Sequence, residues 1–250
     1  SIAWGHIDDN LRGDLNSRLI IDPDQRFTLD IQKARFWIGK NDWNINDQAM
    51  IIMKDKFIQI DSLGIQHADQ YLLIDGEIDE NPDAQLDISI RDIDLSMFNP
   101  LLASSNLTIS GITNGNSQLR NLYQSPLVAA NLNTAALELN EYLLGDINLE
   151  SKWDNELNFF DLDGDLIKEN RILLNFEGYY QPEEEENPLL LNAKINNAEL
   201  GFLNAFIPEG ISHMAGSISG NVKVSGQIDE PQLRGDIEFH QASVMVDYLN

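Results

Sequence analysis

The residues best suited to chemistry are three aspartates in the stretch "DLDGD", where Asp161, Asp163 and Asp165 alternate around Gly164. Carboxylates at this spacing around a glycine are typical of calcium-binding loops, which use oxygen ligands. The stretch lacks the further ligands and the distal bidentate glutamate that such a loop requires. Because Asp and Gly are also the residues of tight hairpins, the pattern favours a turn, with a calcium site as the second interpretation.

Other reactive residue types form no catalytic pattern. The histidines His6, His67, His213 and His240 are far apart in the sequence, and none stands at a metal-ligand spacing or beside a nucleophile. The stretch "GSISG" from Gly216 differs from a nucleophile elbow because its serines occupy other positions. There is no phosphate-binding loop, no dinucleotide fingerprint and no cysteine. We therefore expect no enzyme activity, no cofactor and no metal centre.

The charge of the chain is strongly negative, with 41 acidic and 16 basic residues among 250 and a formal net charge of −25. Phosphate contacts depend on Lys and Arg, so this balance argues against a nucleic-acid partner. Four adjacent glutamates, Glu183 to Glu186, repel one another and predict a solvated loop. The acidic excess is typical of a wet surface that maintains solubility.

Neither a membrane helix nor a signal peptide is predicted from the sequence. No apolar run approaches the roughly 18 residues that a spanning helix needs, and "SIAWGHIDD" lacks the regions of a signal peptide. The first and last residues already have the pattern of strands. We therefore expect an excised segment of a longer protein, whose anchor or export signal lies elsewhere.

Alternation of apolar and polar residues, the pattern of β-strands, runs along nearly the whole chain. Successive side chains of a strand point to opposite faces, so each run predicts a strand with one apolar and one wet face. The runs predict roughly sixteen to twenty short strands and an all-β fold. The apolar positions that share a face in the clearest runs are Phe27, Leu29, Ile31, Leu86, Ile88, Ile90, Ile172, Leu174, Phe176, Val222, Val224, Ile237, Phe239, Val244 and Val246.

Turn-forming residues separate these runs, and helical signals are few. The predicted turns are "DPDQ" from Asp22, "ENPD" from Glu80, "LDGD" from Leu162 and "EEEENP" from Glu183. Only "LSMFNPLLAS" and its counterpart "LGFLNAFIPEGI" predict a turn or two of helix. Nothing between the strands is long enough for a crossover helix, which disfavours a parallel sheet.

A repeated phrase gives the chain its organisation. "GHIDDNLRGDL", from Gly5, returns as "GQIDEPQLRGDI", from Gly226, and a third version follows "ISGITNGN" with Asn121 and Pro126. The unit is about 105 residues, which predicts a partial repeat at 1–35 and two repeat units at 36–140 and 141–250. Repetition on this scale indicates one continuous, elongated sheet that grows by adding units.

These phrases resemble a known protein family. "GSISGNVKVSGQIDEPQLRGDI" followed by "ASVMVDYL", together with "LTISGITNGN" and "YLLGDINLESKWD", is similar to the C-terminal repeat region of the TamB family, within the AsmA-like superfamily, and "VDYLN" is similar to members of the Bacteroidetes type. The marks are the spaced glycines, the proline about four residues before the next small residue, and the glycine that opens the following strands. Asn121 and Ala130 depart from the pattern, because glycine is expected at both positions.

The resemblance implies a fold, a place and a function. Family members form a β-taco, which is a long sheet curled into a half-open trough with an apolar concave face. The family implies a periplasmic segment of an inner-membrane-anchored protein of a diderm bacterium, with membranes at the two ends of the full-length protein. The family is associated with a TamA-like outer-membrane barrel partner, with assembly of outer-membrane proteins and with movement of phospholipids. The resemblance therefore implies that phospholipid acyl chains are the ligand.

The alternating pattern is compatible with three arrangements. An open trough would leave an apolar strip for lipid, and the fifteen apolar residues named above are its candidate lining. A chaperone-like scaffold would instead pair its free edge with nascent outer-membrane strands. A closed sandwich or barrel would fill its interior with its own side chains. We expect the first arrangement, a hydrophobic groove for phospholipid transport between the membranes.

Overall fold

The chain is described by a computed structural model. It describes residues 2–5, 11–38, 41–102, 107–124, 126–154, 158–182, 184, 187–201, 211–227 and 230–246, and only the backbone of 2–5, 11, 12, 101, 211–213 and 244–246. Strands dominate the described residues, as the alternation predicts. Among them the only helical segments are a 3₁₀ turn at Leu95–Phe98 and the single-turn α1 at Asn99–Leu102, followed later by a 3₁₀ turn at 200–201. The rest of the second predicted helical segment, 202–210, lies outside the described residues.

Sixteen strands follow one another along the described part of the chain. The first eight are β1 (Ile2–Gly5), β2 (Leu11–Ile21), β3 (Phe27–Ile38), β4 (Asn41–Ile45), β5 (Met50–Lys54), β6 (Phe57–His67), β7 (Gln70–Ile78) and β8 (Gln85–Asp94). The next eight are β9 (Ile109–Arg120), β10 (Leu127–Leu139), β11 (Tyr142–Asp154), β12 (Phe159–Lys168), β13 (Arg171–Tyr180), β14 (Leu189–Glu199), β15 (Ile211–Gly226) and β16 (Pro231–Val246).

The strands form one antiparallel sheet in which chain order is also spatial order, from β1 to β16. The exception is that β4 and β5 occupy one position, because both lie between β3 and β6. Most strands pair with the next strand along the chain, and short hairpins suffice for most of these connections. The all-β, β-taco-like prediction is confirmed.

The chain divides into two compact units. Unit 1 contains residues 1–100 and 113–130, and unit 2 contains residues 101–112 and 131–250. These limits differ from the predicted repeat boundaries at 35 and 140. The units are defined by spatial contacts and the repeats by sequence similarity, so the repeat boundaries stay a prediction.

In unit 1 one face of the sheet is apolar. Leu29 lies opposite both Leu19 and Ile51, and the row continues through Ile60 to Gly76 and Leu86 on the same face. A buried cluster lies on this face. It comprises Ile31, Ala34 and Ala49, with Leu15, Leu29, Ile45, Ile51 and Leu63 packed against it.

In unit 2 the same segregation is seen from β11 to β16. Ala193 lies between Phe176 and Val222, and Leu191 lies between Gly178 and Val224. The buried cluster here consists of Leu173, Ala198, Leu200 and Ile218, with Ile195 and Met214 packed against it. The period-two pattern thus produces an apolar face in each unit.

A bulge that recurs in several strands explains why some of the spaced glycines of the sequence are needed. In β6 the register shifts between Ile60 and Leu63, and Ser62 takes a left-handed conformation with φ of 53°. The Ser62 N–H loses its ladder partner and donates instead to Asp75 Oδ2 at 2.8 Å. Gly76, the residue after Asp75, has φ of 121°, and a Cβ at this position would overlap the carbonyl oxygen of Gln85. Bulges of this kind bend a strand and increase its twist.

The same arrangement recurs in unit 2. It is found at Ala136 with Asp146 and Gly145, and at Asn197 with Ser219 and Gly220. A side-chain oxygen therefore accepts the N–H of each left-handed residue, next to a glycine whose Cβ would meet backbone. The spaced glycines of the family pattern mark these bulges.

The repeated phrase forms hairpins. Its copies connect β1 to β2, β9 to β10 and β15 to β16, where Gly226 pairs with Pro231. Gly226 has φ of 101°, and Asn121, which stands in its place in the second hairpin, has φ of 50°. Asn enters the left-handed region more readily than most residues, so Asn121 preserves the turn without glycine. For Ala130 in place of Gly235 the structure gives no account.

Two of the predicted turns are hairpins, and one prediction is wrong. "DPDQ" connects β2 to β3 and "ENPD" connects β7 to β8, whereas "EEEENP" lies between β13 and β14, with 183, 185 and 186 outside the described residues. "LDGD" lies inside β12, not at a turn. Its Asp–Gly signal is overridden by pairing on both sides, because Gly164 lies opposite Leu149 and Phe176, and a Cβ at Gly164 would overlap the Phe176 ring.

Candidate functional site

The apolar face of unit 1 gathers the predicted groove residues of that unit. Phe27, Leu29 and Ile31 of β3 share this face with Leu86, Ile88 and Ile90 of β8 through the intervening rows. Burial is uneven, since Ile31 and Leu86 are 3% and 6% exposed whereas Phe27 is 39% exposed. The apolar residues left most open on this face are Leu19, Ile21, Phe27 and Met53.

The apolar face of unit 2 gathers most of the others. Leu174 lies opposite Ile195, Val222 lies between Ala193 and Gly235, and Val224 lies between Leu191 and Leu233. Ile237 and Phe239 continue this face on β16, where Leu233 and Phe239 are more than 60% exposed. Val244 and Val246 lie in β16, but their side chains are outside the described residues.

The strict alternation predicted for β13 is wrong at one position. The register shifts between Leu166 and Ile167, so that Leu174 pairs with Leu166 while Ile172 pairs with Ile167. The residue left between the two pairs is Leu173, which is 7% exposed and belongs to the buried cluster of unit 2. Ile172 is 48% exposed. A bulge therefore puts Leu173 into the core in place of Ile172.

The opposite face of unit 2 is polar. Asn192, Lys223 and Arg234 form one of its cross-strand rows. Asp163 lies in another row, between Glu150 and Glu177. Asp161 and Asp165 flank Asp163 on this face, because residues two apart in a strand point the same way. Their alternation is thus the period of a strand, and in the described part of the chain no cluster of His, Asp and Glu could hold a metal ion.

A cavity opens in the apolar face of unit 2. It has a volume of about 130 Å³ and is walled by side chains of β11 to β14, namely Leu144, Leu166, Leu173, Leu174, Ile195 and Ala198. The bulge in β13 forms part of the wall, since it brings Leu173 next to Ala198. A cavity of comparable size with an apolar lining stays dry and takes small apolar ligands.

Three polar side chains lie at the rim of this cavity. Lys168 Nζ is 3.2 Å from Glu199 Oε2 and 5.4 Å from the centre of the Tyr142 ring. The Lys168 side chain is 21% exposed and that of Glu199 is 61% exposed. Burial raises the pKa of the Tyr142 phenol above its usual value, Lys168 opposes this, and Glu199 adds to it. Tyr142 is therefore a protonated hydrogen-bond donor at neutral pH.

Sequence reasoning missed the cavity and its rim. Tyr142, Lys168 and Glu199 belong to three different strands and lie far apart in the chain. No spacing marks them as a group. Lys168 and Glu199 end β12 and β14, and a polar residue at that position is the ordinary appearance of a strand end.

The apolar face of each unit could accommodate a long apolar molecule, and the apolar face of unit 2 has one cavity with charges of both signs at its rim. Within the residues that the structure describes, no helix has the length and apolar character needed to cross a membrane.

Comparison with known proteins agrees with the fold. A family model described as "TamB, N-terminal domain" matches residues 7–239. The matched region is thus the N-terminal domain, whereas the quoted motifs indicated the C-terminal repeat region. No curated protein and no solved structure gave a significant match. With a match over nearly its whole length and an antiparallel sheet that has an apolar face in each unit, the chain belongs to the TamB family.

Proposed function

We propose that the apolar faces of this chain carry phospholipid acyl chains, as part of an envelope protein that moves phospholipids between the inner and outer membranes. Membership of the TamB family supports the envelope setting and a role alongside a TamA-like outer-membrane barrel partner. The observation that carries the proposal is the segregation of side chains in each unit, with apolar residues on one face and polar residues on the other.

Incomplete burial of the apolar faces supports this function. Phe239 and Leu233 are 63% and 68% exposed in unit 2, and Ile21 is 60% exposed in unit 1. On β16 the exposed Leu233, Ile237 and Phe239 lie on the same face, and clustered exposed apolar surface of this kind is typical of a binding surface. Each acyl CH₂ kept from water contributes about 0.8 kcal/mol, so an acyl chain follows a path lined with such residues.

The open side of the apolar face accounts for how a lipid headgroup can accompany its acyl chains. An extended apolar surface that is open to solvent lets the headgroup stay in water while the acyl chains are covered. No specific polar group is then needed along most of the path, and the individual valines, leucines and isoleucines are interchangeable.

Photocrosslinking tests the proposal. A crosslinking amino acid at Val222 or Val224 is expected to capture phospholipid in cells, and the same group at Lys223 or Glu238 is not, because the latter pair lies on the polar face. The double substitution Val222→Asp with Val224→Asp is expected to reduce lipid capture from neighbouring positions at least about 10-fold, since each buried charge interrupts an apolar path.

Two results would contradict the proposal. Equal lipid capture from Lys223 and Val222 would show that lipid does not distinguish the faces. A defect in outer-membrane protein assembly after proline insertion in an edge strand, with lipid transfer intact, would instead favour the chaperone-like scaffold.

A further inference from the structure

The cavity of unit 2 combines features that the rest of its apolar face does not share. Its wall is apolar, whereas its rim contains a cation, an anion and a hydroxyl donor within contact of one another. A recognition role for this cavity rests on the proposed function, because lipid would reach it along the apolar face.

The apolar part suits the end of a hydrocarbon chain. Leu173 and Ala198 at its base are 7% and 5% exposed, so they are held by the buried cluster. A volume of about 130 Å³ is close to that of an apolar cavity that binds a ring of six carbons. It is too small for two acyl chains, so one chain end enters.

The rim suits a headgroup with both charges. Lys168 and Glu199 are 3.2 Å apart, and the Tyr142 hydroxyl also hydrogen bonds to Glu199. An ammonium has three donors and a carboxylate about four acceptor sites, so each group can take one further partner. A single anionic headgroup would gain Lys168 but would meet the Glu199 carboxylate beside it. A headgroup in which a short link joins a phosphate to an ammonium offers a partner to each residue.

Tyr142 completes this complementarity. Its ring lies against Lys168 Nζ, and a Cβ at Gly201 would come within 2.7 Å of its hydroxyl, so the phenol packs closely over this glycine. Its protonated hydroxyl hydrogen bonds to Glu199 and so holds that carboxylate beside Lys168.

We propose that this cavity is a recognition site for a zwitterionic phospholipid, with one acyl-chain end between Leu173 and Ala198, the phosphate at Lys168 and the ammonium at Glu199. The Lys168 ammonium donates to a phosphate oxygen, and the lipid ammonium donates to the Glu199 carboxylate. The site thus selects among lipids that the apolar face as a whole binds without distinction.

The test measures binding of two soluble short-chain lipids, dihexanoyl phosphatidylethanolamine and dihexanoyl phosphatidylglycerol, to the purified chain by calorimetry. The wild type is expected to prefer the ethanolamine lipid by about 5-fold, the upper end for an ion pair with a carboxylate as exposed as Glu199. Glu199→Gln is expected to remove that preference without weakening the glycerol lipid, because only the ammonium loses its partner. Lys168→Gln is expected to weaken both lipids about equally.

Matched control variants distinguish the effect of the rim residues from a general effect of removing charge. Glu150→Gln and Lys152→Gln change an ion pair of 2.7 Å on the polar face and are expected to leave both affinities unchanged. Ala198→Leu fills the cavity and is expected to weaken both lipids. Circular dichroism establishes whether each variant is folded. If Ala198→Leu does not fold, Glu199→Gln decides the question, because Glu199 is exposed and its substitution does not disturb the core.

The two proposals fail in different ways. Equal affinity of the wild type for both lipids, or an unchanged preference in Glu199→Gln, overturns the recognition site while crosslinking at Val222 can still support the lipid path. Absence of lipid at Val222 and in calorimetry overturns the proposed function and the recognition site together.

Discussion

At the residue scale, the glycines of this chain are explained by close approach of backbones rather than by turns alone. Gly145 of β11 has φ of 130°, and a Cβ there would overlap the carbonyl oxygen of Ile167. Gly226 at the end of β15 has φ of 101°, but its nearest neighbour to a Cβ is the Glu230 carbonyl oxygen, at 3.5 Å. A side chain at Gly145 would therefore meet both a steric overlap and an unfavourable backbone conformation, whereas a side chain at Gly226 would meet only the unfavourable conformation.

Alanine substitution separates these two costs. Gly145→Ala is expected to lower the free energy of unfolding by about 2 to 4 kcal/mol, because the strands must move apart as well as strain the backbone. Gly226→Ala is expected to cost only about 1 kcal/mol, the penalty for a left-handed residue. Urea denaturation monitored by circular dichroism measures both, and equal losses would refute the steric account of Gly145.

At the element scale, register shifts decide which side chains reach the core. The alternation in "RILLNF" places Ile172 with Leu174 and Phe176, yet the shift between Leu166 and Ile167 buries Leu173 instead. The same bulge builds one wall of the cavity. A local irregularity in one strand pair therefore creates the most distinctive site on the sheet.

Truncating the two neighbours tests this assignment. Leu173→Ala is expected to destabilise the chain by about 2 to 4 kcal/mol, because it leaves a hole in the buried cluster of Leu173, Ala198, Leu200 and Ile218. Ile172→Ala is expected to cost less than about 1 kcal/mol, since nearly half of Ile172 is already exposed. Urea midpoints compared at equal slope provide the measurement, and the reverse order would restore the simple alternation.

At the scale of the whole molecule, charge is the dominant property. A net charge of −25 on 250 residues opposes compaction through self-repulsion. Most of the ion pairs seen within the described residues are exposed; the pair of Lys54 with Asp24, for example, has side chains 38% and 49% exposed. Like charges also face one another across strands, as in the row of Glu150, Asp163 and Glu177.

Salt is therefore expected to stabilise this protein. Raising the ionic strength from about 0.01 to about 0.1 M shortens the Debye length from about 30 to about 10 Å and screens the repulsion. The melting temperature is expected to rise over this range. Asp163→Asn, which removes one charge from the crowded row, is expected to raise the melting temperature at low salt and to have a smaller effect at high salt; a fall in melting temperature with salt would contradict this account.

The sequence by itself determined the all-β fold, the apolar and polar faces, the hairpins of the repeated phrase and the family, because period-two alternation and turn residues are local properties of the chain. The turn expected at Asp161 to Asp165 shows where local signals end, since the same Asp–Gly letters fit a hairpin and a strand. Only the tertiary structure decided the register shifts, the burial of Leu173 in place of Ile172, and the meeting of Tyr142, Lys168 and Glu199 around a cavity. These features depend on which residues of distant strands lie opposite one another, and a shift of one residue in that pairing moves a side chain to the other face.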